Sequence, residues 1–165
     1  MNVTLLLIEP YHPVTGLLVP LVAQRILGLA QERQRERDPG KTARDILTRL
    51  YAGDLSLRIL GFLDDKGVLV GHAVATIETD GVNHWMFIQQ VKVDGDVGDA
   101  VGRGIEIGDQ WATAVNPNLV ARGYSPITKM VMATHRSDAA FQRKYLFTTD
   151  RHLMIREIGA SKETT

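Results

Sequence analysis

The sequence contains no cysteine among its 165 residues. This absence excludes disulfide bonds, cysteine nucleophiles and the zinc sites that depend on cysteine ligands. The five histidines never lie four residues apart or beside paired carboxylates, so we predict no metal site. The first residues, MNVTLLLIEP, lack a basic leader and a small-residue cleavage site. Together these features predict a protein that is made and folds in the cytoplasm.

An excess of charge of either sign is also missing, as is any long apolar run. Basic and acidic residues number 19 each, so the formal net charge is zero. Proteins that bind nucleic acid normally carry a basic excess or stripe, and we therefore expect no nucleic-acid partner. The longest apolar stretch, residues 16–30, is too short to span a bilayer and includes Arg25, so we expect no membrane partner.

What the sequence does contain is a mixed pattern of strands and helices. The predicted strands cover residues 3–9, 55–63, 68–79, 83–93, 128–135 and 152–158. The first predicted helix starts between Pro13 and Pro20 and continues to about residue 37. The other predicted helices cover residues 41–52, 103–115 and 138–147, and Asn116-Pro117-Asn118 interrupts the third helix. The order β-α-α-β-β-β-α-β-α-β predicts a mixed α/β (α+β) fold with a central sheet and helices on both faces. We predict one domain, 1–165, with a flexible tail at 159–165.

Four stretches of this pattern resemble motifs of one family, the GNAT (Gcn5-related N-acetyltransferase) superfamily. VLVGHAVATI is similar to the third strand of that family, and IQQVKVDGD to its fourth strand and exit. VGRGIE stands where the acetyl-CoA loop belongs, and AAFQRKYLF is similar to the last helix. The resemblance covers nearly the whole chain. Its length and helical N-terminal third are most similar to small, divergent GNAT-like proteins encoded by tailed bacteriophages.

The resemblance implies a pyrophosphate-binding role for the glycine loop. In the family, backbone N–H groups and a helix N-terminus point at the pyrophosphate of coenzyme A. The family pattern begins with Arg or Gln and ends with Gly or Ala. Here Val101 stands at the first of these positions and Glu106 at the last, and Glu106 is expected in the first helical turn. Two anions about 4 Å apart repel by roughly 1 kcal/mol in water and about four times as much near a protein surface. Only Arg103 is favourable, since three further acids surround the loop: Asp94, Asp96 and Asp99.

The catalytic residues that the resemblance implies are incomplete. If Phe147 matches the last residue of the Gly-Phe motif, the position of the general-acid tyrosine is Gln142, which cannot donate a proton to a thiolate. Tyr145 is displaced by almost one helical turn, and a core or rim aromatic is the favoured interpretation. Glu78 and His84, at neighbouring strand ends, stand where a general base could act, but a solvated strand end is the favoured interpretation of each. His72 is predicted to be a core histidine.

Two functional hypotheses follow. The sequence favours a non-catalytic structural or interaction protein on a degenerate acetyltransferase scaffold, without a cofactor, in a homo-oligomer or larger assembly such as the head–tail or tail region of a phage virion. The alternative is an N-acetyltransferase that uses acetyl-CoA and a primary amine. In that case the backbone N–H groups of Val91 and Val93 would hold the thioester and pantetheine arm. The backbone of Gly102, Arg103 and Gly104 would hold the pyrophosphate.

Overall fold

The structure is a computed structural model that describes residues 2–32, 38–95, 97–132, 145, 147–150 and 153–159. The strands in these residues are β1 (Thr4–Leu7), β2 (Leu57–Leu63), β3 (Leu69–Thr79), β4 (His84–Val93), β5 (Lys129–Met132), β6 (Thr148–Asp150) and β7 (Leu153–Glu157). The helices are a 3₁₀ helix (Thr15–Leu18), α1 (Val19–Glu32), α2 (Pro39–Tyr51) and α3 (Ala100–Ala121). The predicted mixed class is confirmed. The predicted helix at 138–147 lies almost wholly outside the described residues.

The chain divides into two compact units, each of which contains part of β3 and part of β4. The first unit comprises Met1–Ala75 and Gln90–Val101, with the strand order β1-β2-β3-β4. The second comprises Thr76–Gln89 and Gly102–Thr165, with the order β3-β4-β5-β7-β6. β4 and β5 run parallel, whereas β1 pairs with β2, β5 with β7 and β6 with β7 in antiparallel fashion. The expected single domain stays a prediction.

The first unit is built around an apolar core between its helices and its strands. The Asp38 side chain accepts a 2.8 Å hydrogen bond from the Lys41 N–H group and caps α2, which Pro39 begins. Both helices present apolar side chains at helical spacing to the core. The buried cluster comprises Ile8, Val19, Val22, Ile26, Ala43, Ile46, Leu50, Leu57, Ile59, Leu69 and Val74. In the part of the chain that the structure describes, no helix is long and apolar enough to cross a membrane.

In the second unit, α3 is longer than the sequence pattern predicts. It continues through Pro117 to Ala121, so the predicted interruption at 116–118 is wrong. Proline removes one helical hydrogen bond and disfavours the helix interior. Here Asn116 offsets that loss, since its side chain donates to the Ile127 carbonyl at 3.0 Å and accepts from the Ile127 N–H at 2.7 Å. This contact with the segment before β5 is tertiary and leaves no local signal.

The C-terminal strands also differ from the prediction. The predicted strand at 152–158 is confirmed as β7, Leu153–Glu157, but β6 at Thr148–Asp150 was not predicted. β6 is only three residues long and pairs with β7 through the registers Thr148↔Ile155 and Asp150↔Leu153. A strand this short is too brief for alternation of apolar and polar residues to reveal it.

Candidate functional site

Between two backbone hydrogen bonds of the β3–β4 hairpin, the returning arm contains one more residue than the outgoing arm. The Asp94 N–H donates to the Val70 carbonyl at 2.8 Å, and the Asp80 N–H donates to the Asn83 carbonyl at 3.3 Å. Residues joined in this way stand opposite each other in an antiparallel pair. Between the two bonds β3 advances ten residues, from Val70 to Asp80, whereas the returning chain advances eleven, from Asn83 to Asp94. The additional residue makes a β-bulge.

Two side-chain contacts locate the bulge at Gln89 and Gln90. The Gln90 Oε1 lies 3.1 Å from the His72 Nε2, and the Gln89 Nε2 donates to the Thr76 Oγ1 at 3.3 Å. His72 and Thr76 are four residues apart on β3 and therefore share one face of the sheet. Neighbouring residues of a regular strand point to opposite faces, so Gln89 and Gln90 reach the same face only because β4 bulges there. The structure also confirms His72 as a core histidine, with no exposed surface.

Val91 and Val93 follow the bulge on β4. Because the Asp94 N–H bonds to β3, the N–H groups of Val91 and Val93 point to the opposite edge of β4. That edge pairs with β5 only at residues 86–88 among the residues that the structure describes. The two N–H groups therefore lie beyond the described end of the β4–β5 pairing.

α3 begins earlier than predicted, and this changes its N-terminus. The helix starts at Ala100, so its first turn contains Val101, Gly102 and Arg103 and has no acidic residue. Glu106 is the seventh helical residue, about 9 Å along the axis from the start. The expectation that Glu106 occupies the first turn is wrong, because the predicted helix began three residues late. Gly104 follows the first turn directly.

The Asp94 carboxylate forms an ion pair with Arg25 of α1, which is distant in the sequence. The Arg25 Nη2 lies 2.6 Å from the Asp94 Oδ2, and Arg25 belongs to α1. Beside it, Lys92 forms an ion pair with Glu32 at the end of α1. These partners are more than sixty residues apart in the sequence, and no local pattern predicts that they meet. The residues before α3 are therefore less acidic in effect than the sequence indicates.

Glu78, one of the two candidate bases, is held by a buried hydroxyl. The Thr76 Oγ1 donates a 2.6 Å hydrogen bond to the Glu78 Oε1. Thr76 has no exposed surface, whereas Glu78 is half-buried. A short bond from a neutral donor to a carboxylate is a strong one. Glu78 is therefore oriented by its neighbours, unlike the solvated strand end that the sequence allowed.

His84, the other candidate base, lies in a different setting. Its ring packs edge-on against Tyr124, with the ring centroids 5.4 Å apart, and its backbone N–H donates to the Ser125 Oγ at 3.2 Å. The His84 Nδ1 is buried and makes no hydrogen bond with any of the described residues. The ring is positioned mainly by packing, so its orientation is less closely defined than that of Glu78.

Tyr145, the candidate acid, is half-buried, and its backbone carbonyl accepts a hydrogen bond from Arg156. The Arg156 Nε donates to the Tyr145 carbonyl at 3.0 Å, and the Arg156 Nη1 contacts both carboxylate oxygens of Asp109. Asp109 and Arg156 were not predicted, because they lie 47 residues apart and no local pattern links them. Gln142 lies outside the described residues. Across the described ranges, no group of three or more acidic or histidine side chains could hold a metal ion.

Comparison with solved structures identifies the fold. A predicted acetyltransferase from Clostridium acetobutylicum, solved with acetyl-CoA, is 11% identical with a TM-score of 0.54 over 90% of this chain and 92% of that one. A GNAT family N-acetyltransferase from Escherichia coli in complex with CoA is 13% identical, with a TM-score of 0.52 over 96% and 83%. A GNAT family acetyltransferase from Staphylococcus aureus is 13% identical, with a TM-score of 0.51 over 94% and 99%. No family model and no curated protein matches the sequence.

The chain therefore has the GNAT acetyltransferase fold. The same neighbours contradict the favoured hypothesis of a non-catalytic structural protein, in a phage virion or elsewhere, because two are GNAT family acetyltransferases and the third is a predicted acetyltransferase solved with acetyl-CoA. They also contradict the expectation of no cofactor, since two of them hold acetyl-CoA or CoA. The hypothesis of a lost site depended mainly on Glu106 in the first helical turn, but α3 begins at Ala100 and Glu106 lies beyond that turn.

Proposed function

We propose that this protein is an N-acetyltransferase that transfers the acetyl group of acetyl-CoA to a primary amine. The observation that carries the proposal is the N-terminus of α3, which starts at Ala100 and has no acidic side chain in its first turn. It follows a bulged β4 in a fold shared with acetyltransferases that hold acetyl-CoA or CoA. The similarity to phage-encoded proteins stays a prediction from the sequence.

The first turn of α3 fits the pyrophosphate of coenzyme A. The first N–H groups of a helix have no carbonyl partner within it, and the helix dipole adds a partial positive charge there. Val101, Gly102 and Arg103 supply such N–H groups, and the exposed Arg103 adds a full positive charge. Gly104 continues the turn without a side chain that could obstruct an approaching phosphate. These donors suit an anion and would hold the pyrophosphate.

The upper part of β4 fits an extended chain with amide groups. The N–H groups of Val91 and Val93 point to the edge of β4 that faces away from β3. An extended ligand can pair with such an edge as an added strand would. We assign the pantetheine arm, which contains two amides, to this edge, with its thioester toward the bulge at Gln89 and Gln90.

The reaction joins the amine nitrogen to the acetyl carbonyl carbon and breaks the bond from that carbon to sulfur. The electron pair of the broken bond leaves with sulfur, which then takes up a proton. Glu78 accepts the proton that the amine loses, and His84 is the second candidate for this role. Tyr145 is the candidate for protonating the leaving thiolate, with solvent as the alternative donor.

The proposal is tested by binding and turnover measured separately. Titration calorimetry with CoA should give saturable binding, and a hundredfold excess over Kd should stabilise the fold by about 2.7 kcal/mol. Turnover is followed by the release of free thiol from acetyl-CoA, with free amino acids, polyamines, amino sugars and peptide N-termini as acceptors. No binding and no thermal shift at millimolar CoA would contradict the proposal.

We also propose that the protein forms a homo-oligomer in the cytoplasm and has no nucleic-acid or membrane partner. Exposed apolar side chains in the first unit support self-association, among them Tyr11 at 79%, Leu17 at 77% and Val14 at 60% exposure. Light scattering coupled to size exclusion would show a dimer or larger species. A monomer at all accessible concentrations would remove this proposal without affecting the catalytic one.

A further inference from the structure

We infer that Thr76 and Gln89 are positioning residues, which hold the Glu78 carboxylate in one orientation so that its second oxygen accepts the proton lost by the amine. The inference rests on the proposed function and goes beyond it, because it assigns roles to two side chains around the base. Neither residue needs to change its charge during the reaction. Their role is to determine which Glu78 oxygen meets the amine and from which direction.

The hydrogen bonds among the three residues have a definite direction. The Gln89 Nε2 donates to the Thr76 Oγ1 at 3.3 Å, and the Thr76 Oγ1 donates to the Glu78 Oε1 at 2.6 Å. A hydroxyl has one proton, while an ionised carboxylate can only accept. Because Gln89 donates to the hydroxyl oxygen, the Thr76 proton is directed at Glu78. The chain of bonds therefore ends at the carboxylate.

Burial makes this chain selective for one of the two Glu78 oxygens. Thr76 has no exposed surface, and its β-branched side chain has few rotamers available. Its hydroxyl thus fixes the Oε1, while the Oε2 accepts no hydrogen bond from the part of the chain that the structure describes. Since Glu78 is only half-buried, the second oxygen is the one able to meet a proton from outside.

The bulge in β4 supplies the first donor of the chain. In a regular strand Gln89 would point away from the face that Gln90 and Thr76 share. The extra residue turns Gln89 onto that face, where its amide reaches the Thr76 hydroxyl. The irregularity in β4 therefore has two effects: it interrupts the regular hairpin pairing, which resumes at Asp94, and it completes the support of Glu78.

The kinetic test compares Thr76→Val, which removes the hydroxyl at nearly constant volume, with Thr76→Ser, which retains it. With acetyl-CoA and the most active amine of the acceptor panel, Thr76→Val should lower kcat about tenfold to a hundredfold. The KM for acetyl-CoA and the Kd for CoA should stay within about twofold, and Thr76→Ser should recover most of kcat. Thr79→Val, which removes an exposed hydroxyl from the same strand, is the matched control. A Thr76→Val protein with wild-type kcat would overturn the inference.

A second measurement does not depend on catalysis. The side-chain amide signals of Gln89 in ¹⁵N–¹H NMR spectra are assigned by their loss in Gln89→Met. They should shift in Thr76→Val and in Glu78→Gln, and stay in place in Thr79→Val. If the Gln89 amide signals did not shift in Thr76→Val, the positioning role would be overturned even in an active enzyme. Shifted signals in a protein that binds no CoA and transfers no acetyl group would overturn the proposed function. The hydrogen bonds from Gln89 through Thr76 to Glu78 would then have no role in catalysis.

Discussion

The Arg156 Nη1 lies 2.7 and 2.6 Å from the two carboxylate oxygens of Asp109, and only 7% and 15% of these side chains are exposed. The pair joins β7 to α3 within the second unit. The same guanidinium donates from its Nε to the Tyr145 carbonyl. One buried cation therefore connects a helix, a strand and the segment that contains the candidate acid.

Breaking this ion pair should destabilise the protein strongly. Arg156→Met leaves the Asp109 charge buried without its partner, and such changes cost about 3–5 kcal/mol. Arg44→Met is the control, because Arg44 lies 3.7 Å from Asp38 in an exposed pair worth at most about 1 kcal/mol. Urea denaturation of both variants gives the free energies of unfolding. Equal losses would show that burial of the Asp109 pair has no energetic consequence.

The glycines at positions 28 and 71 should respond to alanine in opposite directions. A Cβ at Gly71 would lie 2.8 Å from the Lys92 carbonyl oxygen and from side-chain atoms of Phe62 and Val93. Overpacking of this kind costs about 1–3 kcal/mol. A Cβ at Gly28 on α1 meets no atom within 4 Å, so Gly28→Ala should stabilise the helix by up to about 1 kcal/mol. Thermal denaturation measures both, and a stabilised Gly71→Ala protein would contradict the packing of β3 on its neighbours.

Reversing the charge in the first turn of α3 should weaken CoA binding. Arg103→Glu introduces an acid beside the assigned pyrophosphate, and repulsion of about 1–4 kcal/mol should raise the Kd for CoA about fivefold or more. The helix dipole favours a carboxylate at that position in the free protein. Glu106→Gln is the control, since Glu106 lies outside the first turn and should change the Kd by less than about threefold. A larger effect from Glu106→Gln than from Arg103→Glu would place the pyrophosphate elsewhere.

Acid should destabilise the first unit partly through Asp54. Partial burial raises the pKa of Asp54, but hydrogen bonds from Ser56 and Arg49, together with the Arg49 charge, hold it below the ordinary value of 3.8. A carboxyl with a lowered pKa stabilises the fold above its unfolded pKa, and that contribution is lost as pH falls through the folded pKa. Ser56→Ala should therefore lose less stability than wild type when the pH falls from 7 to below 3.8.

The control for this pH dependence is Ser125→Ala. The Ser125 hydroxyl donates to the Val82 carbonyl, accepts from the His84 backbone N–H and makes no hydrogen bond with a carboxylate of the described residues. Its removal should lower the free energy of unfolding by the same amount at both pH values. Denaturant titrations at the two pH values separate the variants. A Ser56→Ala protein that parallels wild type over this range would exclude Asp54 as a source of acid sensitivity.

Local patterns predicted much of the fold correctly because they act over a few residues. The strands at 55–63, 68–79 and 83–93 were placed within two residues of β2, β3 and β4, since apolar runs bounded by turns repeat at short range. The start of α3 was missed by three residues, and this error alone moved Glu106 into the first turn. Helix ends depend on single capping contacts, so their positions are the least certain feature of a pattern.

The sequence by itself determined the mixed fold class and the long β3–β4 hairpin, because periodicity and turn signals are local properties. The candidates Glu78, His84 and Tyr145 came from the family resemblance and stay predictions. Only the tertiary structure decided that Arg25 neutralises Asp94, that Asp109 pairs with Arg156 and that Gln89 and Gln90 share a face. Each of these relationships joins residues that are distant in the chain or depends on a one-residue change of register. Burial determines which distant residues meet, and strand pairing determines the register. Neither is contained in a short window of sequence.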